Sequence, residues 1–222
     1  MTFRSSTHFG MAVRTALGGV AVAVVFAACS TGNVGIAGSA QPLPTSDGAN
    51  CPTSQPAPLA AGETRTVAIK TSKGSMTLKI DGDLSPIAAG NFVALASCGY
   101  YDGVVFHRVV PGFVIQGGDP SGNGTGGPGY TIKDEPVTTP YRRGTLAMAR
   151  SSEPDSQGSQ FFIVLSDEAG TGLALTNTYA IFGEVTDGMA TVDAIAAMPN
   201  SGEPANAALQ PVAMEAVSVS TP

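Results

Sequence analysis

Two segments of the chain mix core-forming residues with polar ones at close spacing: Phe106-His107-Arg108-Val109-Val110-Pro111-Gly112-Phe113-Val114-Ile115-Gln116-Gly117-Gly118-Asp119, and Gly158-Ser159-Gln160-Phe161-Phe162-Ile163. Placed on or between strands at alternate positions, Arg108, Phe113 and Gln116 would put a fixed cation, a large apolar wall and a carboxamide on one surface. Taken singly, Arg108 reads equally well as a solvated surface arginine. It is the combination that points to a site.

Other chemistries fit less well. Outside the first 28 residues His107 is the only histidine, and it would be the sole base available to Ser159. Gly158-Ser159-Gln160 also lacks the flanking glycine of a nucleophile elbow, so serine hydrolysis is disfavoured and His107 reads as a packing or hydrogen-bonding residue. One histidine and few cysteines supply no metal ligand set, and no cofactor is expected. Gly122-Asn123-Gly124-Thr125-Gly126-Gly127 formally matches G-x-G-x-x-G, but Pro128 and Gly129 follow where a phosphate-binding helix would have to start. The sequon Asn123-Gly124-Thr125 reads as a chance match.

Such side chains must be positioned by one ordinary domain, which is what 222 residues allow with appendages. There are 28 glycines, no tryptophan and only 13% charged residues, a composition that suits many tight turns and short strands better than a helix bundle. With 11 basic against 17 acidic side chains, net −6, nucleic acid is an unsuitable partner. Residues 1–28 hold Arg4 and Arg14, no acid, and an apolar run from Thr15 to Ala28 too short to span a membrane comfortably. That is a signal-peptide layout. It ends in Phe26-Ala27-Ala28-Cys29, which resembles a bacterial lipobox with Phe26 in place of the usual leucine. The resemblance implies a diacylated Cys29 as mature N-terminus; the alternative is an ordinary signal peptide with a coincidental cysteine. Lipidation of Cys29 would leave Cys51 and Cys98 either to pair, as an oxidising compartment favours, or to stay free, with Cys98 buried beneath a helix.

Residues 29–63 are rich in Gly, Pro, Ser, Ala and Thr and read as a flexible tether. The folded domain is expected over 64–222. Val67, Ile69 and Thr71 alternate, Lys73-Gly74 turns, and Met76, Leu78 and Ile80 alternate back, predicting a β-hairpin. Ser85-Pro86 predicts a helix start with the serine hydroxyl as cap, Ala88, Phe92, Leu95 and Ala96 share a face, and Gly99 stops it. Tyr100 to Val114 reads as two strands around the Asp102-Gly103 and Pro111-Gly112 turns, followed by a glycine-dense loop from Gly117 to Gly129, and more strands are expected at Thr145 to Met148, Phe161 to Leu165, Tyr179 to Val185 and Val212 to Val219. A second helix is expected near Met189 to Ala197. Many short strands with two helices suggest a closed barrel.

From about Thr64 to Val219 these segments resemble the cyclophilins. Thr71-Ser72-Lys73-Gly74, Asn91-Phe92, Gly99-Tyr100-Tyr101-Asp102-Gly103, Gly124-Thr125-Gly126-Gly127, Met148-Ala149-Arg150 and Phe182-Gly183 recur in that family's order, beside the two segments quoted first. The resemblance implies an eight-stranded closed antiparallel barrel capped by two short helices, and peptidyl-prolyl cis-trans isomerase activity without a cofactor. Carried over by position, it implies Arg108 as the catalytic arginine with Gln116 as its polar neighbour. Phe113, Val114, Phe162 and Leu175 would form the proline pocket, and Ala149, Arg150 and Gln160 would line the groove for the substrate backbone. The stretch Ala174 to Tyr179 has no tryptophan where eukaryotic members often carry one, and Tyr179 stands where they carry histidine, so cyclosporin affinity stays open.

The expected substrates are proline-containing segments of exported proteins, acted on by a monomer held to the outside of a bacterial membrane through Cys29. Two alternatives use the same fold: a non-catalytic proline-peptide-binding module and a structural envelope module. Both Arg108 and Gln116 being present argues against the first, and the convergence of Phe113, Phe162 and Arg108 against the second.

Overall fold

The computed structural model describes residues 50–221. Residues 1–49, with the leader, Cys29 and most of the tether, lie outside the described residues, as does Pro222.

The expected hairpin is formed by β1 (Thr64–Thr71) and β2 (Gly74–Asp81), paired from Thr64↔Asp81 to Thr71↔Gly74. Its alternation does what the pattern requires: Val67, Ile69, Met76, Leu78 and Ile80 are buried. Six more strands follow: β3 (Val105–Val110), β4 (Val114–Asp119), β5 (Thr145–Met148), β6 (Phe161–Val164), β7 (Ile181–Asp187) and β8 (Ala207–Ser220). They close in the order β1-β2-β7-β5-β6-β4-β3-β8, with every neighbouring pair antiparallel. Among the described residues, closure leaves no strand edge free to pair with another chain. β7 begins two residues after Tyr179, which stands outside the sheet.

The barrel interior is one apolar cluster, including Leu78, Phe106, Ile115, Leu146, Phe161, Ile163 and Phe182. Helix α1 (Pro86–Ser97) drives Phe92 into it, against the rings of Tyr101, Phe161 and Phe182 at 5.0–5.2 Å. Helix α3 (Met189–Ala196) adds Val192 and Ile195. Between them lies a helix the strand-and-turn pattern did not disclose, α2 (Asp167–Ala174), so among the described residues three helices rather than two accompany the barrel. Ser166 caps α2 by accepting the Ala169 N–H, and Asp167 and Glu168 occupy its first turn.

The cap of α1 differs from expectation. Ser85 precedes the helix but its hydroxyl caps nothing. The carboxylate of Glu135 accepts the N–H groups of Ile87 and Ala88 instead, at 2.8 and 2.9 Å. A charged acceptor with two oxygens answers two orphan donors and the positive helix end together, which one hydroxyl cannot.

Residues 51–63, assigned above to the tether, are laid against α1. Cys51 and Cys98 are disulfide-bonded, Leu59 is buried, and its N–H donates to the Pro86 carbonyl at 2.9 Å. The close approach depends on Gly90: a Cβ there would come within 2.3 Å of the Ala57 carbonyl oxygen. Low hydrophobicity is outweighed here by a covalent staple and backbone contact.

Candidate active site

Across the outside of the barrel the strand register brings four residues into one row: Arg108 on β3 opposite Gln116 on β4, Gln116 opposite Phe162 on β6, and Phe162 opposite Ala147 on β5. The outward position of Arg108 is not what simple alternation gives. Phe106 and Val109, three residues apart, both belong to the interior cluster, and the β3–β4 register shifts between Phe106 and Arg108. Had the period of two continued from Phe106, Arg108 would point into the core. The shift at His107 turns it outward, as bulges re-aim side chains.

The outer face carries its own apolar cluster, of Val114, Ala147, Phe162, Val164, Ala169, Leu173 and Ile181, with Phe113, Ala149 and Tyr179 at its margin. A cavity of about 220 Å³ opens there, walled by Phe113, Val114, Phe162, Leu173 and Tyr179 and edged by Arg108 and Gln116. The Phe162 and Tyr179 rings meet edge to face at 5.3 Å. Tyr141 secures that wall from behind: its hydroxyl donates to the Tyr179 carbonyl at 2.9 Å and accepts the Tyr179 N–H at 3.1 Å. Burial pushes the Tyr141 phenol up, so it stays protonated and can serve both bonds.

A second hollow of about 380 Å³ adjoins the first and shares Gln116, Ala149 and Arg150 with it. Its far side is the glycine-dense loop after β4, from Gly124 to Thr131. Gln160 stands at the junction. Its Nε2 donates to the carbonyls of Gly124 and Gly126 at 3.0 and 2.9 Å, and its Oε1 accepts from Gln116 Nε2 at 3.0 Å. Gln116 Oε1 in turn accepts from Arg108 Nη1 at 3.3 Å. The loop itself is wound around Asp119, whose carboxylate accepts the N–H groups of Ser121, Asn123 and Gly124 at 2.7, 3.0 and 2.6 Å. Gly126 must be glycine for this, because a Cβ would overlap Asp119 Oδ1. Burial works against the Asp119 charge, but the backbone N–H groups of Ser121, Gly126, Gly124 and Asn123 outweigh it and hold the carboxyl below its ordinary value.

Of the residues singled out from the sequence, Arg108, Phe113, Val114, Phe162 and Tyr179 line the first cavity, Gln160 the second, and Gln116, Ala149 and Arg150 both. The Arg150 guanidinium is also a brace, paired with Asp134 and donating to the carbonyls of Ser151 and Glu153. Leu175 is not in the pocket. It is 87% exposed, and Leu173 takes the place assigned to it. On α2, Ala169 and Leu173 are one helical turn apart and face the outer cluster; Leu175, two residues further, is turned to the opposite side. Asp119, Tyr141 and Asp134 were missed, since nothing local in the sequence marks them as supports of a site. Buried His107 packs beside the loop at Gly124 and has no catalytic partner among the described residues.

Residues 66–219 match the family described as cyclophilin type peptidyl-prolyl cis-trans isomerase/CLD. Peptidyl-prolyl cis-trans isomerase B of Streptomyces anulatus is 41% identical over 69% of this chain and 95% of its own length. The protein of the same name from Bacillus subtilis is 49% identical over 50% of this chain and 78% of its length. Among solved structures, a cyclophilin type peptidyl-prolyl cis-trans isomerase of Cryptosporidium parvum superposes with a TM-score of 0.64 at 32% identity, covering 72% of this chain and 99% of the other. The same protein in the presence of the dipeptide Ala-Pro gives a TM-score of 0.63 at 34% identity, covering 71% and 99%.

Proposed function

The chain belongs to the cyclophilin-type peptidyl-prolyl cis-trans isomerases, and from that membership we propose that it turns X–Pro bonds with Arg108 as the catalytic group and the apolar cavity beside it as the proline site. Peptide-bond rotation is opposed by amide resonance with a barrier of about 18–20 kcal/mol. At the twisted state the prolyl nitrogen loses resonance and gains a lone pair. A guanidinium facing that nitrogen donates a hydrogen bond that strengthens as the bond turns, and so stabilises the transition state more than either ground state. Arginine keeps its charge at any working pH.

Phe113, Val114, Phe162 and Leu173 grip the ring and keep water from it, while Gln116, which lines both cavities, orients the guanidinium and holds the substrate's carbonyl side as the bond turns. The adjoining groove, with Ala149, Arg150 and Gln160, receives the chain next to the proline. The presence of Ala-Pro with the Cryptosporidium relative is in keeping with this use of the cavity. The carrying observation is the placement of one arginine, held by Gln116, at the edge of an apolar cavity of about 220 Å³. The test is isomerisation of an X–Pro peptide by the full chain and its Arg108→Ala variant. Catalytic efficiency is expected to fall about 10²–10³-fold, the worth of one preorganised donor to developing charge. Full activity in a folded variant would remove Arg108 from the mechanism.

The leader and Cys29 support a further reading: the mature protein is lipidated at Cys29, sits outside the bacterial membrane, and acts as a monomer on exported proteins. The oxidised Cys51–Cys98 pair suits that compartment. Intact-mass spectrometry of the membrane-extracted protein tests it, since a soluble, unlipidated product would exclude the anchor.

A further inference from the structure

A carboxamide fills nearly the same space with its oxygen and nitrogen exchanged, so the shape of the site does not decide which end of Gln116 faces Arg108. Hydrogen-bond polarity does. The carbonyls of Gly124 and Gly126 can only accept, and both are answered by Gln160 Nε2. That commits both hydrogens of Gln160 and leaves its Oε1 for Gln116 Nε2. Gln116 must then present Oε1 to Arg108, the one orientation in which the guanidinium meets an acceptor.

The chain of donors starts from the loop, and the loop's orientation starts from Asp119. This side chain is fully buried, and its carboxylate gathers the N–H groups of Ser121, Asn123 and Gly124. With those N–H groups turned inward, the Gly124 and Gly126 carbonyls meet Gln160. We propose that Asp119 is a positioning residue for Arg108, acting through a relay of fixed polarity that runs from its carboxylate through the glycine-dense loop, Gln160 and Gln116. Were the loop to release its carbonyls, Gln160 and Gln116 could both reverse, and Arg108 would face an amide NH2, donor against donor. This rests on the reading of Arg108 as the catalytic arginine.

Asp119→Asn changes no shape but replaces one acceptor oxygen with a donor among N–H groups. Gln160→Leu breaks the relay at a half-exposed position and removes none of the partners of the Asp119 carboxylate. In the full chain, each is expected to lower catalytic efficiency on an X–Pro peptide by about tenfold, as loss of one hydrogen bond to a charged group does. Asp119→Asn is not expected to lower the residual activity of Arg108→Ala further, because the relay acts only through that guanidinium. The side-chain 15N resonances of Arg108 are expected to shift in both variants.

If Asp119→Asn does not fold, Gln160→Leu decides alone. Wild-type activity in folded Gln160→Leu, unshifted Arg108 resonances in either folded variant, or an equal loss of activity on adding Asp119→Asn to the Arg108→Ala background would each overturn the relay. Full activity of Arg108→Ala itself would overturn the reading beneath it, which is a distinct result.

Discussion

Arg150 Nη1 lies 3.0 Å from Asp134 Oδ2, and that ion pair ties together two loops beside the larger hollow. Arg150 also donates to the carbonyls of Ser151 and Glu153, while Asp134 and Asp155 exchange backbone N–H bonds through their carboxylates. Arg150 is therefore spent on shaping the groove as well as lining it. Arg150→Ala is expected to lower stability by about 1–3 kcal/mol, as loss of one partner from a half-buried charged network does. KM for long peptides should rise with little change in kcat. Arg150→Lys should not restore either, since one ammonium cannot reach a carboxylate and two carbonyls in a planar fork. Urea unfolding and steady-state kinetics check both; a lysine variant indistinguishable from wild type would refute the fork.

The pocket leucine is Leu173. Leu173→Ala removes a wall of the cavity and a buried side chain, and is expected to destabilise by about 2–3 kcal/mol while weakening substrate binding. Leu175→Ala, at an exposed position, is expected to change stability by less than about 0.5 kcal/mol. Parallel melts and kinetics of the two variants would show the reverse pattern if the helix register were wrong.

The Cys51–Cys98 bridge closes a loop of sequence separation 47. On the chain-entropy account its removal costs about 4 kcal/mol. A Cys51→Ser, Cys98→Ser double variant should therefore unfold at clearly lower denaturant, and residues 51–63 should become the earliest site of proteolysis. Unchanged unfolding on reduction would mean that the strap is held by its other contacts.

Acid should weaken the fold in two separate stages. Burial lowers the His107 pKa from its ordinary 6.5, against the pull of Asp119 and with the push of Arg108. The unfolded chain thus takes up that proton first, so stability is full above about pH 6.5 and falls as pH drops below it. The lowered Asp119 pKa adds stability that is present above its ordinary 3.8 and is lost as pH falls further. Melting temperature followed from pH 8 to pH 3 should show both stages, and His107→Gln should flatten the upper one alone. A melting temperature that rises between pH 7 and pH 5 would contradict the sign.

Most of the barrel was legible because its strands alternate cleanly. Val67, Ile69, Met76, Leu78 and Ile80 announce both the hairpin and its buried face. The site residues were legible as a family pattern, not as geometry: period-two reasoning alone sends Arg108 into the core, and only the register shift at His107 corrects it. Helix α2 was readable in part, since Ser166 and two acids mark a helix start, but Gly170 and Gly172 depress helix propensity and hide it. Leu175 was placed by carrying the family pattern over by position, and the turn of α2 puts Leu173 there instead. Long-range partners such as Glu135 for the α1 end, or Asp119 beneath Gln160, leave no local mark, because each is chosen by a contact between segments far apart in the chain.

A closed barrel with its pocket on the outside writes two records on the same strands. In β6, Phe161 and Ile163 face the interior cluster and Phe162 the pocket. Β4 repeats this, with Ile115 inward and Val114 and Gln116 outward. Heritable change can therefore retune the catalyst at Val114, Gln116 and Phe162 while Ile115, Phe161 and Ile163 go on holding the barrel, and at these six positions selection on turnover and selection on endurance need not compete for the same residues. Insertion or deletion of one residue within either strand would exchange the two records at once, so length, more than composition, is what these segments can least afford to vary.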